Sequence, residues 1–181
     1  MSVQQDQLQT TAIHGGLSPD PTTGAILTPI YQSTTYVQEA VGKDKGFTYT
    51  RSGNPTVAAL ERSLGAFEAC KHPAVSFSTG MAAISATLIG LLKSGDHVVC
   101  SDVVYGGTVR LLQQVLHRFG VVADFVDTSD PSAIHRALRK DTKLVFIETP
   151  ANPTLKITDI SAAASAAHDV GALLAVDNTF L

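Results

Sequence analysis

No apolar run in this sequence reaches the length of a membrane span, because each is broken early by Gly, Ser or a charge. The first ten residues, MSVQQDQLQT, carry neither a basic n-region nor an apolar h-region, which excludes a signal peptide and sets the expectation of a cytoplasmic protein. Cysteine is scarce. Cys70 and Cys100 stand in separate segments without a CxxC pattern, so both read as reduced thiols in the core. Positive charge is short as well: 13 Lys and Arg against 16 Asp and Glu give a net charge of −3, with no basic block to meet a nucleic acid. The six histidines (14, 72, 97, 117, 135 and 168) show no pair at metal-ligand spacing, so no metal site is expected. GxGxxG, GxxxxGK[ST] and GxSxG are all missing, which disfavours a nicotinamide fold, a P-loop nucleotide enzyme and a serine hydrolase.

What is present is an alternation. With 44% hydrophobic and 16% charged residues, the chain has the composition of a packed domain rather than a disordered one. Strand-like runs fall at Ala74–Ser78, His97–Cys100, Val121–Val126, Leu144–Ile147 and Leu173–Val176. Helical runs fall at Met81–Leu92, Thr108–Phe119, Pro131–Arg139 and Ile160–His168. A further helix starts at Asn54-Pro55, an N-cap followed by proline, and carries Val57, Leu60, Leu64 and Phe67 at helical spacing. Strand and helix alternating in this way imply right-handed crossovers and an α/β fold with a mostly parallel sheet. Residues 1–48 are irregular, with Pro19, Pro21, Pro29 and the turn Gly15-Gly16. Ile26-Leu27-Thr28-Pro29-Ile30-Tyr31 is too apolar for a free linker, so this stretch is expected to be an arm that packs on another subunit.

In a parallel sheet, ligands bind at the carboxyl ends of the strands, and here those ends carry chemistry. Ser76-Phe77-Ser78-Thr79-Gly80-Met81 runs from a strand through hydroxyls and a glycine into a helix, as a phosphate cradle does, although an ordinary βα turn has the same make-up. Tyr105 precedes Gly106-Gly107 at a helix entrance, where its ring can lie over a planar ligand or simply pack. Glu148 ends a buried strand, commonly a structural placement. Asn152, between Pro150 and Pro153, is held to one orientation. Asp177 follows the apolar run Ala172-Leu173-Leu174-Ala175-Val176; a carboxylate there is costly unless something cationic meets it, and Thr179 can donate toward the same ligand. In Tyr49-Thr50-Arg51, an extended strand puts both outer side chains on one face, able to grip a phosphate together.

These segments together resemble the Cys/Met-metabolism family of pyridoxal-phosphate enzymes, which includes cystathionine γ-synthase, cystathionine γ-lyase and methionine γ-lyase. Tyr-x-Arg-x-x-Asn-Pro, Ser-Thr-Gly-Met, Tyr-Gly-Gly-Thr, Glu-Thr-Pro-x-Asn-Pro and Val-Asp-Asn-Thr-Phe stand in the family's order, from about Ala12 to Leu181. The resemblance implies the aspartate aminotransferase-like fold type I, truncated, with residues 1–48 as an arm on the neighbouring subunit and 49–181 as an incomplete cofactor-binding large domain. It implies pyridoxal 5'-phosphate as cofactor, with Gly80 and Met81 on its phosphate, Tyr105 stacked on the ring, Asp177 on the ring nitrogen, and Asn152 and Thr179 around the ring. Tyr49 and Arg51 would reach the phosphate of a neighbouring subunit, so the active site needs a dimer; the family is typically a tetramer of two dimers. An adjacent carboxylate raises the pKa of the ring nitrogen and keeps the ring an electron sink.

The family's Schiff-base lysine lies in a Ser-x-Thr-Lys segment, and none of Lys43, Lys45, Lys71, Lys93, Lys140, Lys143 and Lys156 stands in that context. Lys156 is the tempting substitute, yet the family carries a basic residue there without giving it catalysis. The expectation is therefore the N-terminal portion of an enzyme of methionine and cysteine biosynthesis, inactive alone. The intact protein is read as a transferase or lyase of transsulfuration acting at Cγ, with Tyr105 as its catalytic proton shuttle. Methionine γ-lyases carry a cysteine after Tyr-Gly in the stacking segment; Gly107 stands here and is expected to leave room for a bulkier, cystathionine-type substrate. The alternative is a non-catalytic fragment or pseudo-enzyme that binds a phosphate compound or serves in oligomer assembly.

Overall fold

The computed structural model describes residues 5–181, with side chains from Leu8 onward. It forms two compact units that divide between Phe77 and Ser78. Among the described residues, no helix is long and apolar enough to cross a membrane.

The first unit holds two helices, α1 (Gln5–His14) and α2 (Pro55–Phe67). Asn54 starts α2 by accepting the Thr56 N–H at 2.8 Å, with Pro55 at the first helical position, as its sequence signature predicts. Its amide group also donates to the Tyr31 carbonyl (2.9 Å), while the Thr56 hydroxyl donates to the Pro29 carbonyl (3.1 Å) and accepts the Tyr31 N–H (2.9 Å). The irregular stretch is therefore tied to the start of α2 by directed bonds. Ile26, Leu27 and Ile30 stay exposed. Gly16, at φ +68°, lets the turn after α1 lie directly against the Arg62 backbone, where a Cβ would clash.

Three expectations fail along residues 49–78. Tyr49-Thr50-Arg51 is not an extended strand: Tyr49 makes a single antiparallel bridge to Thr35, and the chain then turns as Ser52 and Gly53 donate to the Tyr49 carbonyl. Tyr49 and Arg51 still meet, but through the guanidinium lying 4.7 Å from the tyrosine ring centroid. Ala74–Ser78 forms no strand either. The Ala74 and Ser76 N–H groups go to the Glu61 carbonyl and carboxylate, so the backbone donors are spent on α2 instead of a sheet neighbour. Cys70 is exposed rather than in the core, since it follows the end of α2 in a surface turn.

The second unit is a four-stranded parallel sheet in the order β2-β1-β3-β4. Its strands are β1 (His97–Ser101), β2 (Val122–Val126), β3 (Thr142–Glu148) and β4 (Leu173–Asp177). The helices are α3 (Gly80–Leu91), α4 (Gly106–Arg110), α5 (Pro131–Ala137) and α6 (Ile160–Asp169). The helical run expected over Thr108–Phe119 is instead α4 continued by a π-helical segment, Leu111–Val115, and a 3-10 turn, Leu116–Phe119.

Successive residues of a strand point to opposite faces, and both faces of this sheet are covered. Val98, Cys100, Leu144 and Phe146 pack with Leu88 of α3 and Leu112 and Leu116 on one face. Val99, Val145 and Ile147 pack with Ile134 of α5 and Ala163, Ala166 and Ala167 of α6 on the other. Strands β1 and β3 are central and buried, whereas β4 is an edge, so the run before Asp177 is only partly buried and Leu173 is exposed.

At the amino ends of the strands, His97 is fully buried and its Nδ1 lies 2.8 Å from the Thr142 hydroxyl, which also accepts the Arg139 N–H at 2.8 Å. That hydroxyl thus serves both the Arg139 main chain and the buried imidazole. Nε2 lies 3.4 Å from Asp124 Oδ2, which pairs with Arg139 as well.

Candidate active site

Alternation decides which side chains meet at the carboxyl ends. Counting on from Leu144 and Phe146, Glu148 projects from the face that carries α3; Asp177 shares the parity of Ala175, which packs on that same face. Glu148 and Asp177 are register partners on neighbouring parallel strands. Above them, α3 and α4 begin. The result is a pocket of about 480 Å³ lined by Thr79, Gly80, Met81, Ile84, Tyr105, Glu148, Asn152, Asp177, Thr179 and Phe180.

The floor on the α3 side is set by Thr79. Its hydroxyl accepts the Ala82 N–H at 3.1 Å, and its carbonyl accepts from Ala82 and Ala83. Gly80 and Met81 are then the residues whose N–H groups have no hydrogen-bond partner among the described residues. A Cβ on Gly80 would meet nothing within 4 Å, so the approach to these two donors is open. Free N–H groups at the start of a 12-residue helix form a site for an anion.

Tyr105 opens α4. Its N–H donates to Glu148 Oε2 at 2.7 Å, and the residue is 57% exposed, leaving the ring open to a planar partner. A Cβ on Gly107 would stand 2.6 Å from Met81 Sδ and 2.6 Å from the Tyr105 ring. Gly107 is therefore not the source of extra room for a bulky substrate. That room is filled by Met81 and Tyr105, and glycine is what lets the ring fold back so closely.

Asn152 follows Pro150 and precedes Pro153, and both X-Pro bonds are cis. Its N–H donates to Glu148 Oε1 at 3.2 Å. Asp177 accepts the Thr179 N–H (3.2 Å) and hydroxyl (2.6 Å), both at Oδ1. Oδ2 has no hydrogen-bond partner among the described residues and is left for another donor. Thr179 thus orients the carboxylate with the hydroxyl that sequence reading directed at the ligand.

Six of the eight sequence-predicted binding residues, Gly80, Met81, Tyr105, Asn152, Asp177 and Thr179, line this one pocket. Tyr49 and Arg51 belong to the first unit. Four lining residues were not singled out as ligand contacts: Thr79, Ile84, Glu148 and Phe180. Thr79 and Phe180 stand within the quoted motifs, and the sequence around Glu148 signals only a structural placement. Ile84 gave no signal beyond its helical spacing from Gly80.

No lysine lines the pocket. Lys156 lies elsewhere on the carboxyl edge, with Nζ 2.8 Å from Asp127 Oδ2 and 3.8 Å from Asp102 Oδ1. Its hydrogen bond to Asp127 raises its pKa above the usual lysine value, which keeps the amine protonated and poor as a nucleophile. The same bond, with help from Ser129, pushes Asp127 down to about 2. Burial drives the Cys100 thiol well above its ordinary value and makes it inert.

The chain is 47% identical over 171 residues to a probable cystathionine γ-synthase of Herpetosiphon aurantiacus, covering 94% of this chain and 53% of that protein. It is 48% identical over 172 residues to a cystathionine γ-lyase of Bacillus subtilis and 46% identical over 173 residues to a cystathionine β-lyase of Lactococcus lactis, covering 45% of each. The chain thus spans about half the length of the curated relatives it matches. Among solved structures, metB of Corynebacterium glutamicum superposes with a TM-score of 0.88 at 45% identity, over 94% of this chain and 44% of that one. The cystathionine γ-lyase of Lactobacillus plantarum, complexed with L-serine, gives the same TM-score at 42% identity, over 96% and 45%. A family model for Cys/Met metabolism PLP-dependent enzymes matches residues 9–181, and with the parallel sheet and its pocket in place the chain belongs to that family.

Proposed function

We propose that this chain carries the cofactor-binding part of a pyridoxal-phosphate enzyme of transsulfuration, acting at Cγ of homoserine esters or cystathionine-type amino acids. Cystathionine γ-synthase is the leading activity and γ-lyase the next. One observation carries the reading: a single pocket joins helix N-terminal amides and a carboxylate oxygen that have no partner among the described residues with an uncovered aromatic face. That donor set fits the cofactor, which offers a phosphate, a planar ring and a basic ring nitrogen.

When bound, pyridoxal phosphate supplies an electron sink for negative charge that develops on the amino acid. The chain's own residues do the rest. The Gly80 and Met81 amides hold the phosphate with the positive end of α3 behind them. Asp177, oriented by Thr179, holds a proton at the ring nitrogen through Oδ2. Tyr105 covers one ring face and moves a proton at the leaving group on Cγ, while Asn152 flanks the ring. Tyr49 and Arg51 act on the phosphate of a neighbouring subunit, which makes a dimer the working unit, within a tetramer. The arm formed by residues 1–48 contacts that neighbour, and its exposed Ile26, Leu27 and Ile30 support this role.

The test is a side-by-side assay of the full-length enzyme for cystathionine formation from O-succinylhomoserine and cysteine, cystathionine cleavage and methionine cleavage. Release of cysteine from cystathionine marks Cγ chemistry, and release of homocysteine marks Cβ chemistry. The expected order of kcat/KM puts formation or Cγ cleavage first. Methionine or Cβ cleavage in first place would overturn the reading.

A further inference from the structure

We propose that Glu148 is the positioning residue of this pocket: its two carboxylate oxygens clamp the backbones of Tyr105 and Asn152 and so hold the stacking ring and the flanking amide at fixed places. This inference rests on the cofactor reading above.

Glu148 is an expensive residue at this position. It is 5% exposed at the end of the central strand β3, and a buried carboxylate costs free energy unless it is met. Among the described residues it has no ion pair with Lys, Arg or His. Its hydrogen bonds are two, both from main-chain N–H groups: Tyr105 to Oε2 at 2.7 Å and Asn152 to Oε1 at 3.2 Å. Those donors are 43 residues and 4 residues away, in two different loops. An amide side chain offers one carbonyl oxygen, but a carboxylate offers two, and bonds to a charged acceptor are about twice as strong as neutral ones.

The loops need such a tie. Tyr105 has no side-chain cap at the start of α4, and the next two residues are glycines, the residues with most backbone freedom to lose. Without the bond to Glu148, the ring would sit on a loose hinge. Asn152 lies in a loop that returns to itself through Ala151 and Lys156, and its N–H is the one link from the Asn152 backbone to β3. Because β3 is central and buried on both faces, the clamp refers both ligand-contacting residues to the most rigid part of the unit.

The experiment compares the full-length protein with Glu148→Gln, which keeps size and one acceptor, and Glu148→Asp, which keeps charge but shortens the reach. Thr142→Ala, at the opposite edge of the sheet, is the control for plain destabilisation. Amide hydrogen exchange at Tyr105 and Asn152 is measured in the cofactor-free protein, and the pyridoxal 5'-phosphate Kd is measured by absorbance titration. Both Glu148 variants should speed exchange at one or both amides, and Glu148→Gln should raise Kd by about tenfold, as expected for one bond to a charged group. Thr142→Ala should lower the melting temperature without either change. Unaltered exchange at both amides in Glu148→Gln would overturn the clamp, and so would a Kd that tracks only melting temperature across the three variants. If the wild-type protein fails to bind pyridoxal 5'-phosphate, the cofactor reading falls, while the exchange rates still decide whether Glu148 holds the two loops.

Discussion

At the amino ends of β1 and β3, His97 Nδ1 and the Arg139 N–H share the Thr142 hydroxyl, while Asp124 pairs with Arg139 and stands 3.4 Å from His97 Nε2. At the carboxyl ends of β3 and β4, Glu148 is satisfied by backbone, but Asp177 Oδ2 and the N–H groups of Gly80 and Met81 have no described partner. The same sheet therefore ends in a polar network bonded largely within itself on one side and an open one on the other. Closed polar networks contribute to fold stability, since any missing member strands a buried group. An open one contributes little until a ligand arrives, and its groups are free to be selective about what they accept. Stability and binding are thus separable by strand end.

The largest expected effect lies at the open end. Asp177→Asn in the full-length enzyme should lower kcat by about a hundredfold or more, the scale of removing one preorganised electrostatic contact. Cofactor affinity and melting temperature should change far less, because the phosphate donors and the hydrophobic core are untouched. Equal losses in kcat and in thermal stability would show that the two ends are not separable.

Next comes the closed end. Thr142→Ala removes the shared partner of His97 Nδ1 and the Arg139 N–H and should cost about 1–3 kcal/mol in chemical denaturation, the penalty for a stranded buried group. Pyridoxal phosphate binding should be unchanged. A weaker Kd in this variant would join the two networks that the geometry keeps apart.

The smallest effect is a pH dependence. Burial, followed by the charge of Arg139, lowers the pKa of His97 below its ordinary 6.5, against the opposing pull of Asp124 and Asp141. The folded protein keeps His97 neutral where the unfolded chain takes up a proton, so the unfolded state binds more protons below about pH 6.5. This contribution to stability is whole above that pH and is lost as the solution is acidified toward the folded pKa. Denaturation midpoints between pH 7.5 and 5.5, as a rough window around the histidine value, should fall more for wild type than for His97→Gln. Identical slopes would remove His97 as the cause.

Much of this architecture is legible in the chain because it is written in local periods. Four of the five strand-like runs, α2 with its Asn54-Pro55 start, and α3, α5 and α6 of the second unit, with the Asp130-Pro131 start of α5, follow from apolar spacing and caps. Helix α1 escaped because QDQLQTTAIH has no apolar stripe to announce it. Ala74–Ser78 has strand composition, yet composition cannot say that Glu61 takes its N–H groups. Asp177 and Gly80 could be proposed from their motifs, since each stands where a strand or helix end must be. The clamp at Glu148 could not be read this way, because it depends on a contact across 43 residues that no local pattern encodes.

The alternation along β3 has one more consequence, for how this family can change. Glu148 faces Asp177 only because an even number of steps separates it from Leu144 and Phe146. Deleting or inserting a single residue in β3 would turn Glu148 toward α5 and α6 and bring an apolar side chain to the pocket, with every amino acid of the motif still present. Strand length therefore constrains the pocket as strictly as residue identity does. Insertions that survive will collect in the loops, or arrive in the strands two residues at a time.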